Sequence, residues 1–344
     1  FEGPGMDAFA ESPEWGGSLV IFPFMYYETY GDDSLIKKYY PNMRRYVDYL
    51  KTRAEMGILS FGLGDWYDYG DFRAGFSRNT PVPLVATAHY YMTVMYLIKA
   101  AKMVGNDFDI HYYTSLAHEI LAAFNKCFFN KETAQYGTGS QCSNALPLFL
   151  QMTQDSDEQG SYQPDAKLDE KVLMNLIKDV EAHGNRLTTG DVGNRYLIQT
   201  LARKDQHELI YKMFNHEEAP GYGFQLKFGA TTLTEQWDPR QGSSWNHFMM
   251  GQIDEWFFNS LVGIRPSTTY QKFIIAPQPV GDLKYVKASY ETLYGTIVVD
   301  WTSQNGTFTL NVSVPVNTTA VVYLPGEKEP KEIQSGTYKL VCAK

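Results

Sequence analysis

The chain has 344 residues, 44% of them hydrophobic and 20% charged, with a formal net charge of −9. This length suits one large domain with a smaller companion. The acidic balance excludes the basic face that nucleic acid or an anionic membrane surface requires, and no apolar run reaches the ~18 residues of a membrane-crossing helix. Aromatics are abundant, with 25 Tyr, 20 Phe and 6 Trp. A large core absorbs most of them. The excess suits carbohydrate binding, where sugar C–H faces stack on flat rings and hydroxyls take charged or amide partners. Cys127, Cys142 and Cys342 are widely spaced and odd in number, so they are read as buried free thiols rather than a disulfide framework or zinc site. The opening "FEGPGMDAFAESPEW" reads as loop sequence from within a protein, and a preceding portion of chain is expected.

Residues 17 to 265 carry helical periodicity. "SLVIFPFMYYETYGDDSLIKKYYPNMRRYVDYLKTRAEMG" gives two amphipathic segments, the first closed by Gly31 and the second capped by Asp32 or Asp33. "VATAHYYMTVMYLIKAAKMVGND", with a Gly105 stop, and "HYYTSLAHEILAAFNKCFF" follow. After them come "SNALPLFLQM", "DEKVLMNLIKDVEAHG", "VGNRYLIQTLARKDQHELIYKMF" and "SSWNHFMMGQIDEWFFNSLVG". About eight or nine helices result, paired without intervening strands. No 33- or 34-residue period is present, so a toroid of helical hairpins is favoured over a solenoid. Beyond "GIRPS" the pattern alternates apolar and polar residues, is rich in Val, Thr and Tyr, and carries an Asn305-Gly306 hairpin signal. The expected architecture is mainly α with β: a toroid over residues 1–266, then a small antiparallel β-sandwich over 267–344.

Four loop clusters hold the chemistry-bearing residues. They are "ESPEWGG" (Glu14, Trp15), "FGLGDWYDYGD" (Asp65, Trp66, Tyr67, Asp68), "HGNRLTTGDVGNRY" (His183, Thr188, Thr189, Asp191) and "GATTLTEQWDPRQGSSWNH" (Glu235, Trp237, Asp238, Arg240, Trp245, His247). Each lies between helical runs, so the ends of different helices can converge on one pocket. Glu14 and Asp65 read equally well as caps or loop hydrogen-bond acceptors. His183 reads as a cap at a helix C-terminus, and Asp191 as a helix N-cap. No HExxH, DxDxDG, GxSxG or GxxxxGK[ST] string occurs, so neither a metal, a serine nucleophile nor a phosphate loop is expected. No cofactor is expected either. Carboxylates with aromatics remain, and glycosidic bond cleavage is their commonest enzymatic use.

"SPEWGG", "GLGDW", "TTGDVGNRYL", "GATTLTEQWD" and "GSSWNHFMMGQIDEWFFNSLVGI", in this order, resemble glycoside hydrolase family 78, the α-L-rhamnosidases, and the tail "FIIAPQPVGDLKYVKASYETLYGTIVVDW" resembles the β-sandwich behind that family's barrel. The resemblance implies an (α/α)6 toroid, here incomplete at its N-terminus, and a rhamnose-containing oligosaccharide or glycoside as partner, with no nucleic acid and no membrane. It implies inversion by two carboxyl groups, with Glu235 as general base. Trp15 and Trp66 line the sugar, with Trp237 a further indole of the wall, and Asp65, His247 and Glu14 take its hydroxyls. The family's "DCPxRxExxGW" string, which holds the general acid, is absent. It is expected upstream of Phe1, and the chain alone is expected to be inactive or nearly so. A nearby guanidinium would hold Glu235 ionised; Arg240 offers one, or else pairs with Asp238. A non-catalytic sugar-binding protein and another inverting toroidal glycosidase are the rival readings. A periplasmic or extracellular location is expected.

Overall fold

The computed structural model describes residues 11–156, 162–241 and 244–343. A short turn, α1 (Pro13–Gly16), leads into α2 (Ser18–Tyr30), α3 (Ser34–Arg53), α4 (Val82–Val104) and α5 (Asp107–Phe128). These are followed by α6 (Gln141–Phe149), α7 (Ala166–Ala182), α8 (Gly193–Arg203), α9 (His207–Phe214), α10 (Tyr222–Lys227) and α11 (Gln252–Trp256). Two small hairpins interrupt the series, β1 (Phe129–Asn130) with β2 (Gln135–Tyr136) and β3 (Gln154–Ser156) with β4 (Tyr162–Pro164).

Helix α4 is the hub. Residues from Leu84 to Ala101 are buried on almost every side, with α3 and α5 packed against it and α6 nearby. The glycine stops act as the sequence suggests. Gly31 adopts φ +73° and its N–H reaches the Tyr27 carbonyl at 2.8 Å, while Gly105 ends α4 at φ +73°. Such left-handed caps satisfy carbonyls that have no intrahelical partner. At the start of α3, Asp32 rather than Asp33 takes the Ser34 N–H, at 2.8 Å. Helix α2 departs from the expected amphipathic pattern. It is apolar around its circumference, with Phe22 and Met25 exposed at 59% and 52% while Val20 and Phe24 are buried.

Two expected helices are broken. The run over 192–214 splits into α8 and α9 at Asp205, whose φ of +56° no α-helix accommodates. The run over 243–263 opens into a 3₁₀ turn (Phe248–Met250), α11 and a π turn (Phe257–Val262). Gly251 weakens the helix there, and the His247 N–H is drawn to the Leu233 carbonyl at 3.0 Å.

Strands β5 (Ile264–Thr268), β6 (Lys272–Ile275), β7 (Tyr285–Thr292), β8 (Gly295–Gln304), β9 (Thr307–Val314), β10 (Thr319–Val322), β11 (Lys331–Ile333) and β12 (Gly336–Ala343) form two four-stranded sheets. One has the order β12-β9-β8-β7 and is antiparallel throughout. The other, β11-β10-β6-β5, is mixed, because β10 runs parallel to β6 from Thr319 opposite Lys272 to Val322 opposite Ile275. The expected antiparallel sandwich is thus present, with this one parallel pair within it. A parallel neighbour needs a long crossover, and the β7–β9 meander supplies it. Alternate residues of β8, β9, β6 and β10 point inward, including Trp301, Phe308, Phe273 and Val322, each fully buried. The β8–β9 turn uses Asn305 and Gly306, both at positive φ.

The sandwich is sewn to the helices. Trp301 Nε1 donates to the Leu261 carbonyl at 2.9 Å, and Gln278 N–H to that of Ser260 at 2.9 Å. Of the cysteines, Cys142 is buried, Cys342 half-buried and Cys127 exposed, so the reading of all three as buried fails for Cys127 at the outward end of α5. Among the described residues no helix is long and apolar enough to cross a membrane, and no group of three or more His, Cys, Asp or Glu is arranged to hold a metal ion.

Candidate active site

Hydrogen bonds join the first three sequence clusters, and the charge of Glu235 in the fourth is felt by Tyr67 and Asp191. The loop after α3 is pinned from two sides. On one side Ser12 Oγ accepts the Leu63 N–H at 3.1 Å and Glu14 Oε1 accepts that of Gly64 at 2.9 Å. On the other, Asp191 N–H donates to the Trp66 carbonyl at 2.7 Å, and Tyr69 N–H to that of Thr188 at 3.1 Å. Asn79 Nδ2 joins the Tyr69 and Thr188 carbonyls at 3.0 and 2.9 Å. Tyr67, held between these ties, adopts φ +60°. A bulky residue takes this conformation only where its surroundings impose it, as they often do at functional sites. The fourth cluster folds over the same end. Glu235 N–H donates to the Ser244 carbonyl at 2.9 Å, and Glu235 Oε2 accepts the Ser244 N–H at 3.2 Å. Gly242 and Ser243 of this cluster lie outside the described residues.

Seven residues were singled out from sequence, and the structure divides them. Glu235, His247, Trp15 and Trp66 are half-buried and retain exposed surface. The Trp66 ring meets Phe76 edge-on at 5.2 Å and Tyr67 at 5.1 Å, and the His247 ring stacks near Phe248 at 6.0 Å. The other three make contacts within the fold. Asp65 is fully buried, and its Oδ1 takes the Gly193 N–H at 2.6 Å, so it caps α8 from a distant loop. Glu14 is occupied by the Ser12 hydroxyl and the Gly64 N–H, with Gly62 and its missing side chain against the carboxylate. Trp237 is 1% exposed and packs edge-on against Tyr222 at 5.2 Å.

The other readings also resolve. Arg240 grips Asp238 with two nitrogens, at 2.9 and 2.8 Å, so its guanidinium is committed there rather than to Glu235. His183 sits at the C-cap of α7 beside Asp179, as expected for an imidazole at a helix C-terminus. Asp191 is no cap. The α8 N-cap position falls on Val192, no side-chain cap bond is made there, and the Gly193 N–H belongs to Asp65.

Asp191, read from sequence as an N-cap, has a different setting in the structure. It is 1% exposed, and neither carboxyl oxygen has a hydrogen-bond partner among the described residues. Leaving such a group unpaired costs about 1–3 kcal/mol. Loss of hydration, followed by the charges of Asp65 and Glu235, pushes its pKa up to about 8. Asp65 is pushed up to about 7 by burial, against the lowering effect of the Gly190 and Gly193 N–H groups. Glu14 reaches about 7, again mainly through burial. Tyr67 is raised by burial and then by Glu235 and Asp191, so it shares their field. Asp191 thus stands within reach of the charges of both Asp65 and Glu235. The signal that could have found Asp191 is its setting in "TTGDVGNRY", a carboxylate bracketed by Gly190 and Gly193.

These shifts fix a sign for stability. The unfolded carboxyls ionise near 3.8 to 4.5, the folded ones near 7 to 8, so in that window the folded state holds more protons. Stability contributed by these groups is present at the acid side and is lost as pH rises through the window. Tm measured across this range is expected to fall less steeply in Asp191→Asn than in the wild type. Parallel curves would refute the assignment of a buried, neutral Asp191.

Helical hairpins that bring carboxyl groups and indoles to loops at one end, with a β-sandwich behind, define the class of hairpin-toroid glycosidase domains. The chain belongs to the bacterial α-L-rhamnosidase family: residues 3–261 match the model of its 6 hairpin glycosidase domain and residues 263–339 that of its C-terminal domain. It is similar to an alpha-L-rhamnosidase of Streptomyces avermitilis, 27% identical over 332 residues, covering 93% of this chain and 30% of that protein. One from Formosa agariphila is 29% identical over 327 residues, 90% of this chain and 33% of the relative. Among solved structures, an alpha-L-rhamnosidase from Dictyoglumus thermophilum superposes with a TM-score of 0.86 at 31% identity, over 97% of this chain and 40% of that one. The Streptomyces avermitilis enzyme complexed with L-rhamnose has a TM-score of 0.83 at 24% identity, over 95% of this chain and 33% of that one, and shares the fold. The chain therefore spans about a third of the length of the curated relatives it matches.

Proposed function

We propose that the protein carrying this chain hydrolyses terminal α-L-rhamnosyl linkages with inversion, and that Glu235 is the general base. The observation that supports this most directly is the placement of Glu235: a half-buried carboxylate on a loop clasped to Ser244, at the end of the fold where His247 and Trp66 keep exposed surface. In such a mechanism the base draws a proton from water as its oxygen attacks the anomeric carbon. A carboxylic acid about 6.5–9.5 Å away protonates the leaving oxygen. The indoles of Trp66 and Trp15 would face the apolar side of the 6-deoxy sugar, and His247 would take a hydroxyl. Asp65 and Glu14 would act at one remove, by fixing the loop that carries Trp66.

The test follows cleavage of an aryl α-L-rhamnoside by the full-length protein that carries this chain, by NMR, alongside direct L-rhamnose binding. Release of the inverted anomer supports the proposal. A retained anomer rules out the water-activating role, and sugar binding without any cleavage returns the protein to the non-catalytic class.

A further inference from the structure

We propose that Asp191 is a hydroxyl-binding residue of this site, taking ring hydroxyls of the sugar whose anomeric carbon Glu235 serves. The inference rests on the reading of this end of the fold as a sugar site, and it assigns a role to a carboxyl group that the mechanism above leaves unused.

The Asp191 main chain is tied on both sides, by its N–H to the Trp66 carbonyl at 2.7 Å and by its carbonyl to Gln252 Nε2 at 2.9 Å. Gln252 is held in turn, its Oε1 accepting from Asn194 Nδ2 at 3.1 Å. The backbone is thus locked while the carboxyl, 1% exposed, has no hydrogen-bond partner for either oxygen among the described residues. The bond it could have made locally, to the Gly193 N–H, is already taken by Asp65 at 2.6 Å. The titrating groups whose charges it feels are Asp65 and Glu235, both acids that repel it. Among the described residues, no cationic side chain is among the charges that shift it.

Buried polar groups are almost always paired, so a doubly orphaned carboxyl on a rigid main chain points to a partner that arrives from outside. The partner must bring hydroxyl donors and no negative charge, because it enters beside two other carboxyls. Those requirements describe a neutral sugar and exclude an anionic one. Unpartnered buried polar atoms also occur on Asn194 (Oδ1) and His247 (Nδ1) of the surrounding segments, consistent with a polyhydroxyl occupant rather than a single water.

The experiment titrates the wild type, Asp191→Ala and Asp191→Asn with L-rhamnose and with its 2-, 3- and 4-deoxy analogues. Thermal unfolding is measured on the same samples. The Ala variant is expected to bind L-rhamnose about tenfold or more weakly, and the Asn variant, which keeps an acceptor and adds a donor, to recover much of that loss. At least one deoxy analogue should lose affinity for the wild type yet lose nothing further in the Ala variant, because the same bond is removed from both sides. Tm should stay level or rise in both variants, since a strained buried carboxyl has been removed. A purely structural role predicts the opposite pattern, a lowered Tm with rhamnose affinity unchanged. Equal binding by wild type and Ala variant overturns the assignment alone. A wild type that binds no L-rhamnose overturns the rhamnosidase reading and this assignment with it.

Discussion

Replacing Glu235 with Gln is expected to lower kcat for α-L-rhamnoside hydrolysis by about 10²–10⁴, the usual contribution of a positioned proton-transfer group. The amide is nearly isosteric, and its carbonyl oxygen can keep the Ser244 N–H contact that Oε2 now makes at 3.2 Å. What it loses is the capacity to accept a proton from the attacking water. L-rhamnose affinity should therefore change only a few-fold, because no bond to the sugar has to be broken. The substitution also removes a negative charge that Asp191 feels, so the Asp191 pKa should come down from about 8 towards the value set by burial and Asp65. Loss of kcat with near-constant affinity, accompanied by that shift, separates a base from a mere ligand residue. A variant that retains kcat within tenfold would remove Glu235 from the mechanism.

Substituting Gly190 with Ala carries the largest expected effect on stability. An added methyl would lie 2.0 Å from the Trp66 carbonyl oxygen, 2.6 Å from the Asp68 nitrogen and 2.7 Å from the Asp65 carbonyl oxygen. All three atoms are main chain, so no rotamer change relieves the clash, and the two loops must move apart. That separation weakens the 2.7 Å bond from Asp191 N–H to the Trp66 carbonyl and loosens the loop that presents Trp66. A cost of about 2–4 kcal/mol is expected, in the range of severe packing and backbone substitutions, with Tm lower by about 5–10 °C. Activity per folded molecule should fall as well, because the placement of Trp66 and Asp191 depends on the same contact. A Gly190→Ala protein with wild-type Tm and turnover would show that the loops are not interlocked.

The helices with strong glycine punctuation were legible from sequence, and so was the change to period-two alternation at the sandwich. Gly31, Gly105 and the Asn305-Gly306 turn each act through a local backbone requirement, which a sequence reader can see. The break at Asp205 and the unwinding around Gly251 were not legible, because both depend on tertiary pull rather than propensity. The parallel pairing of β6 with β10 was hidden for a similar reason, since alternation does not encode the direction of a neighbour. At the site, the motifs named the loops but not the contacts their side chains make. Asp65 and Asp191 are both aspartates beside glycines, and only the fold reveals which one takes the Gly193 N–H. The sequence reading gave the cap to Asp191 and the ligand role to Asp65; in the structure Asp65 takes the Gly193 N–H and the Asp191 carboxyl has no partner among the described residues. Arg240 shows the same limit, because the choice between Asp238 and Glu235 is settled by loop geometry.

The β6–β10 ladder also imposes an order of assembly. Lys272 and Thr319 meet only after the chain between them has been drawn into a closed loop, and the entropy of that closure must be overcome before the ladder returns any bonds. The β8–β9 hairpin, joined at Asn305 and Gly306, has no such obstacle. The hypothesis that follows is that amides of β8 and β9 gain protection early in refolding and those of β6 and β10 late, which pulse-labelled hydrogen exchange would reveal or refute. On this order the late sheet includes β5, the strand that continues directly from the last helical turn. Closing that sheet would then be the event that joins the helical part to the strands.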